Sequence, residues 1–215
     1  MKKIRIFIIS LFIITSGFSQ QSIVKRFTSI SKDIEISVVG LDDVTIVNSD
    51  TTVIEVALFN QKLHSNYVRI GNEENVLKIQ FELPFEPSEE GVFRKFITKR
   101  LHKAYGIVKL PKNRDVILYG EDLDVISESY NGNLTIFIAK GELRLNTVKG
   151  TVKATLYQGN VLGDVNNTNI KITTNKGSIN VNEEMKTSPY KLDVKKSNKI
   201  FKVKSIQGNI QINVK

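Results

Sequence analysis

The sequence has no cysteine and no tryptophan, and only two histidines. Without cysteine there is no disulfide, no thiolate metal ligand, no thiol nucleophile and no lipidated cysteine of a lipoprotein. A folded chain must then be held by a continuous apolar core. His64 and His102 stand far apart with no ligand spacing around them, so a zinc site would need carboxylate ligands. Ser127 and Ser129 have no histidine nearby to serve as base. The glycines are not followed by Gly-Lys-Ser/Thr, which excludes a phosphate loop. Accordingly no metal, no cofactor and no catalytic residue is expected. Long apolar runs are also missing after Ile14, and one segment alone has a helical period.

Glycine is what punctuates the chain. It falls at Gly132, Gly141, Gly150, Gly159 and Gly177, at intervals that are multiples of nine. Apolar residues follow each glycine at the second, fourth and often sixth place: Leu134, Ile136 and Ile138; Leu143 and Leu145; Val152, Ala154 and Leu156. Val161 and Val165 come next with Gly163 between them. Thr168 stands where a glycine is missing, and Ile170, Ile172, Ile179 and Val181 keep the phase. Short strands with one apolar face produce this pattern. Side chains alternate faces with period two, and nine is odd, so each corner must reset the alternation. Glycine suits such a corner because it reaches positive φ without a Cβ clash. The opposite face carries Thr135, Glu142, Arg144, Lys153, Thr155, Lys171 and Ser178, which suit water. Gly208, Ile210, Ile212 and Val214 restate the motif as a unit expected to cap the stack.

The expected fold class is all-β: a single-chain β-solenoid or β-helix of short strands with glycine corners, plus one short insertion with a helical pattern. An antiparallel β-sandwich or meander is the alternative, with each glycine a hairpin. Lys-Gly is a poor hairpin dipeptide, and a fixed unit length favours stacking. The nine-residue period resembles the calcium-binding repeat, but the glycine pair and aspartate of each unit are absent.

Residues 1–19 read as a signal peptide: Lys2, Lys3 and Arg5 precede an apolar run to Ile14, and Gly17 and Ser19 are small residues before Gln20. Their removal lowers the formal charge from +9 to +6. The remainder, 20–215, reads as one β domain. It has N-terminal strands over 20–83, with a turn at Gly71-Asn72, a basic amphipathic insertion over 84–105, and the glycine-punctuated part over 106–215. In the insertion Val92, Phe93, Phe96, Ile97 and Leu101 follow helical spacing, and Arg94, Lys95, Lys99, Arg100 and Lys103 fill other positions as a candidate binding surface. The late lysines, including Lys186, Lys191, Lys202 and Lys204, read as a solvated face and an edge guard. They are not interleaved with aromatics, which argues against nucleic acid.

The units Gly-Asn-Leu-Thr-Ile at 132–136, Gly-Thr-Val-Lys-Ala at 150–154 and Gly-Ser-Ile-Asn-Val at 177–181 resemble the rungs of a bacterial adhesin family, the "putative auto-transporter adhesin head" or GIN domain. Ile34-Glu35-Ile36, Val44-Thr45-Ile46, Leu77-Lys78-Ile79 and Leu110-Pro111-Lys112 resemble its approach to the repeats, and the likeness spans about Phe27 to Lys215. It implies a β-solenoid in an exported envelope protein, without catalytic residues. The expected function is then a non-enzymatic adhesin-like or scaffolding module of the periplasm, cell surface or medium. It would hold an envelope glycan or protein on rows of Thr, Asn, Lys and Glu. The alternatives are a polysaccharide-active enzyme using Glu121, Asp122, Asp124 and Glu128, or a peripheral membrane module docking through 93–103.

Overall fold

The computed structural model describes residues 21–60, 63–84 and 104–215. The signal segment 1–19, His102 and the five basic residues Arg94, Lys95, Lys99, Arg100 and Lys103 lie outside the described residues.

The chain is all-β. Its strands are β1 (Gln21–Thr28), β2 (Asp33–Val39), β3 (Asp43–Ser49), β4 (Val53–Asn60), β5 (Val68–Glu73), β6 (Val76–Glu82), β7 (Tyr105–Pro111), β8 (Asp115–Asp122) and β9 (Asp124–Glu128). They continue with β10 (Asn133–Val148), β11 (Val152–Val165), β12 (Asn169–Lys176), β13 (Ile179–Val181), β14 (Glu184–Lys186), β15 (Tyr190–Leu192), β16 (Ile200–Gln207) and β17 (Ile210–Val214). The one helical turn among the described residues is Ser65–Tyr67.

Pairing in the repeat region is parallel. Leu134 faces Val152 and Ile136 faces Ala154, eighteen residues on. Two nine-residue units therefore make one rung, and each rung contributes one strand to each of two rows. The first row runs β6, β2, β8, residues 133–140, residues 152–158, β16, β12. The second runs β7, β3, β9, residues 143–148, residues 161–165, β17, β13. Antiparallel strands finish the rows: β5 and β15 on the first, β4 with β1, and β14, on the second. The inward residues of both rows form one apolar cluster, with Ile36, Ile46, Ile136, Leu143, Ile172 and Val203 among its fully covered members. Covering a side chain of this size contributes about 1.5–3 kcal/mol.

Four expectations need correcting. Gly208 to Val214 does not cap the stack: β16 and β17 lie between β11 and β12–β13, and Ile212 faces Gly163 on one side and Val181 on the other. A strand in the interior of a row gains a full ladder on both edges, which the repeated Ile and Val columns can satisfy there as well as at an end. The parallel register does not begin near Gly106 either, because β2 pairs with both β6 and β8. The turn expected at Gly71-Asn72 falls at Glu74 and Asn75, with φ 50° and 65°, while Gly71 and Asn72 continue β5 opposite Lys78 and Leu77. Asparagine tolerates that left-handed region. The insertion also ends earlier than its pattern indicated: Ala104 is buried and exchanges hydrogen bonds with Asp42, and Tyr105 already pairs in β7.

Candidate binding face

The corners come first, because they set where each outer side chain points. Gly141, Gly159, Gly208 and Gly177 form one column, on neighbouring rungs of the corner between the rows. Three of them have φ near +145°, and a Cβ on Gly159 would lie 1.8 Å from the Gly141 carbonyl oxygen. The inward set passes from Ile138 to Leu143 across Gly141, a step of odd length that resets the alternation. Gly132 and Gly150 stack at the opposite corner, where a Cβ on Gly150 would lie 2.0 Å from the Gly132 carbonyl oxygen. Polar side chains stitch successive corners. The Gly141 corner's Glu142 N–H donates to Asp124 Oδ1 at 2.7 Å, and Thr151 N–H donates to Asn133 Oδ1 at 2.9 Å.

Tyr130 fills the space below Gly132. Its hydroxyl donates to the Pro111 carbonyl at 3.1 Å, and burial pushes its pKa up to about 12. Arg114 donates to the carbonyls of Ser29, Ile30 and Ser31 at 2.5–3.0 Å, pinning the approach to β2.

With the corners fixed, the outward residues of the first row line up across the strands. One line reads Ser37, Tyr119, Phe137, Thr155, Lys204 and Thr173. Tyr119 and Phe137 are each 40% exposed, and their rings lie parallel with centroids 5.4 Å apart. Beside them Val39, Ala139, Tyr157 and Ile206 complete an apolar groove of about 580 Å³. A second line reads Thr135, Lys153, Lys202, Lys171 and Lys191. Lys191 pairs with Asp193 at 2.7 Å. Among the described residues Lys153, Lys171, Lys202 and Lys204 have no carboxylate partner. Lys202 and Lys204 belong to an interior strand, so guarding an edge is not their role.

The acidic candidates do other work. Asp124 holds the next corner, and Asp122 sits 4.0 Å from Lys140. Glu121 borders the apolar groove. His64 packs edge-on against Tyr67. No group of three or more His, Cys, Asp and Glu residues among the described residues could hold a metal. No helix there is long and apolar enough to cross a membrane.

Sequence reasoning missed the aromatic line, although the signal was present. Tyr119 and Phe137 are eighteen residues apart, as are Ala139 and Tyr157. A nine-residue period hides that spacing, because it mixes residues from opposite rows.

No protein-family model matches the chain, and no curated protein matches it. Among solved structures it is similar to a "putative cell adhesion protein" from Clostridium sporogenes, with a TM-score of 0.63 at 14% identity, covering 91% of this chain and all of that one. At that identity the likeness is one of fold. A "putative adhesin" from Bacteroides fragilis matches at 13% identity over 92% of this chain and 98% of that one, with a TM-score of 0.30. A "putative lipid binding protein" from Parabacteroides distasonis matches at 14% identity over 92% and 98%, with a TM-score of 0.27.

Proposed function

We propose that this chain is a two-rowed β-solenoid that works as a non-enzymatic, adhesin-like binding module of an exported envelope protein. The exposed aromatic groove on the first row carries the reading. Outward apolar residues lose stability to water, and a contiguous group of them rimmed by polar residues marks a binding surface. The rows of parallel strands present that surface at a fixed spacing, which suits many weak contacts to an extended partner. The full-length likeness to a solved structure described as a cell adhesion protein and the glycine rungs resembling the auto-transporter adhesin head family support the same direction, as does the leader-like start. The partner class is an envelope glycan or protein, and the site is the outer face of the first row rather than the basic residues at 94–103. Catalysis by the 121–128 carboxylates is disfavoured because Asp124 serves a corner.

Binding of the purified chain to a glycan array and to solubilised envelope protein tests the proposal. Retention without release of reducing ends, lost on substitution of Phe137 and Tyr157, is the expected result. Reducing-end release, or binding unaffected by those substitutions, would overturn it.

A further inference from the structure

The aromatic groove continues into the lysine line, and together they read as one site. Lys153, Lys202 and Lys171 sit on three adjacent strands in direct register, so their backbone positions repeat at about the 4.8 Å strand spacing. Like charges placed directly opposite one another are destabilising. Lys204 extends the same field beside Thr155, one strand from Tyr157. At the other end of the row the outward charges are balanced: Glu35 faces Lys78 in register, and Glu82 pairs with Arg69 at 3.3 Å. Read across the strands from β8 to β12, the face thus passes from aromatic to basic.

Resting on the binding-module reading above, we infer that this face takes an acidic polysaccharide lying across the strands, its sugar faces on Tyr119, Phe137 and Tyr157 and its anionic groups on Lys153, Lys202, Lys171 and Lys204. Charge complementarity selects the partner. Four basic side chains without acidic partners among the described residues attract an anionic chain, and their long stems let the ammonium groups adjust to its spacing. The rings select rings: flat apolar surfaces bury the C–H faces of a pyranose, which a linear polyanion lacks. Both lines run across the strands, so one extended polymer meets both, and each contact adds to the next.

The test uses the whole chain and three probes: polygalacturonate, which is acidic and ringed; polyglutamate, which is acidic without sugar rings; and a neutral glucan. Polygalacturonate should bind at least tenfold tighter than either of the others, and should weaken steeply with salt. The combined Lys153→Gln, Lys202→Gln and Lys171→Gln variant should lose about tenfold or more. Tyr119→Thr with Phe137→Thr leaves the charge unchanged and should lose about fivefold or more. Circular dichroism of each variant checks the fold, and the single variants stand in where a combined one does not fold. Equal binding of polyglutamate would reduce the face to charge alone and overturn the inference. Equal binding of the neutral glucan, lost in the aromatic variant, would overturn the acidic specificity while leaving the binding-module reading intact. Absence of binding to all three would overturn the inference. The array and envelope-protein assay then shows separately whether the broader reading falls with it.

Discussion

Replacing Gly159 by alanine tests the corner column most directly. Two costs combine there. The backbone φ of +144° lies where a side chain is strained by about 1–3 kcal/mol. The added Cβ would lie 1.8 Å from the Gly141 carbonyl oxygen and 2.9 Å from its carbon, whereas real Cβ atoms essentially never approach within 3.0 Å. Neither contact is the far end of a flexible side chain, so two hydrogen-bonded rungs must separate. Overpacking of this kind costs about 1–3 kcal/mol more. The sum, about 2–6 kcal/mol, is a large part of a typical total stability of about 5–15 kcal/mol. At about 2–4 °C per kcal/mol for a chain of this size, thermal unfolding should shift down by roughly 4–24 °C. Gly71 is the control: it has nothing within 4 Å of an added Cβ, so Gly71→Ala should stay within about 0.5 kcal/mol of the parent. Equal melting temperatures for the two variants would refute the close stacking of the corner.

Ile136→Ala or Ile172→Ala should cost about 2–5 kcal/mol, against under about 0.5 for Thr135→Ala or Lys171→Ala; chemical denaturation separates the sets, and equal costs would reject the phase. Removing residues 200–215 should abolish cooperative unfolding, because β11 and β12–β13 would lose the strands between them; a truncated chain that melts like the parent would show the segment to be peripheral. Lys109 and Arg26 hydrogen-bond to Glu55 and hold its carboxyl below the usual carboxylate range. A lowered folded-state pKa contributes stability above the unfolded value of about 4.3 that is lost as pH falls through the folded one. Glu55→Gln should therefore melt lower at pH 7 and converge on the parent in acid, and a gap that widens in acid would contradict the sign.

Much of the layout was legible because local rules carry it. The alternation of Leu134, Ile136 and Ile138 names the inward face, and Gly141 and Gly159 fall where the alternation must reset. Strand order was not legible. Nothing local to Phe201 or Ile210 says that their partners are Val152 and Val161, since parallel pairing leaves no turn residue to read and any Ile or Val column fits any other. The binding face failed for a related reason. Phe137 takes an outward place after its glycine, and only the parallel register puts Tyr119 beside it.

The rung formed by β16 and β17 lies inside one that precedes it in the chain. A polypeptide made from its N-terminus presents β12 and β13 while their proper neighbours do not yet exist. Pairing β12 on β11 at that moment would satisfy the same backbone groups and set Ile170 against Val152 in place of Phe201. The later strands could then enter only by undoing that contact. Completion is thus a question of timing as well as affinity: the slot must be kept open, or reopened, until residues 200–214 arrive. Such a chain remains unfinished until β16 and β17 are made.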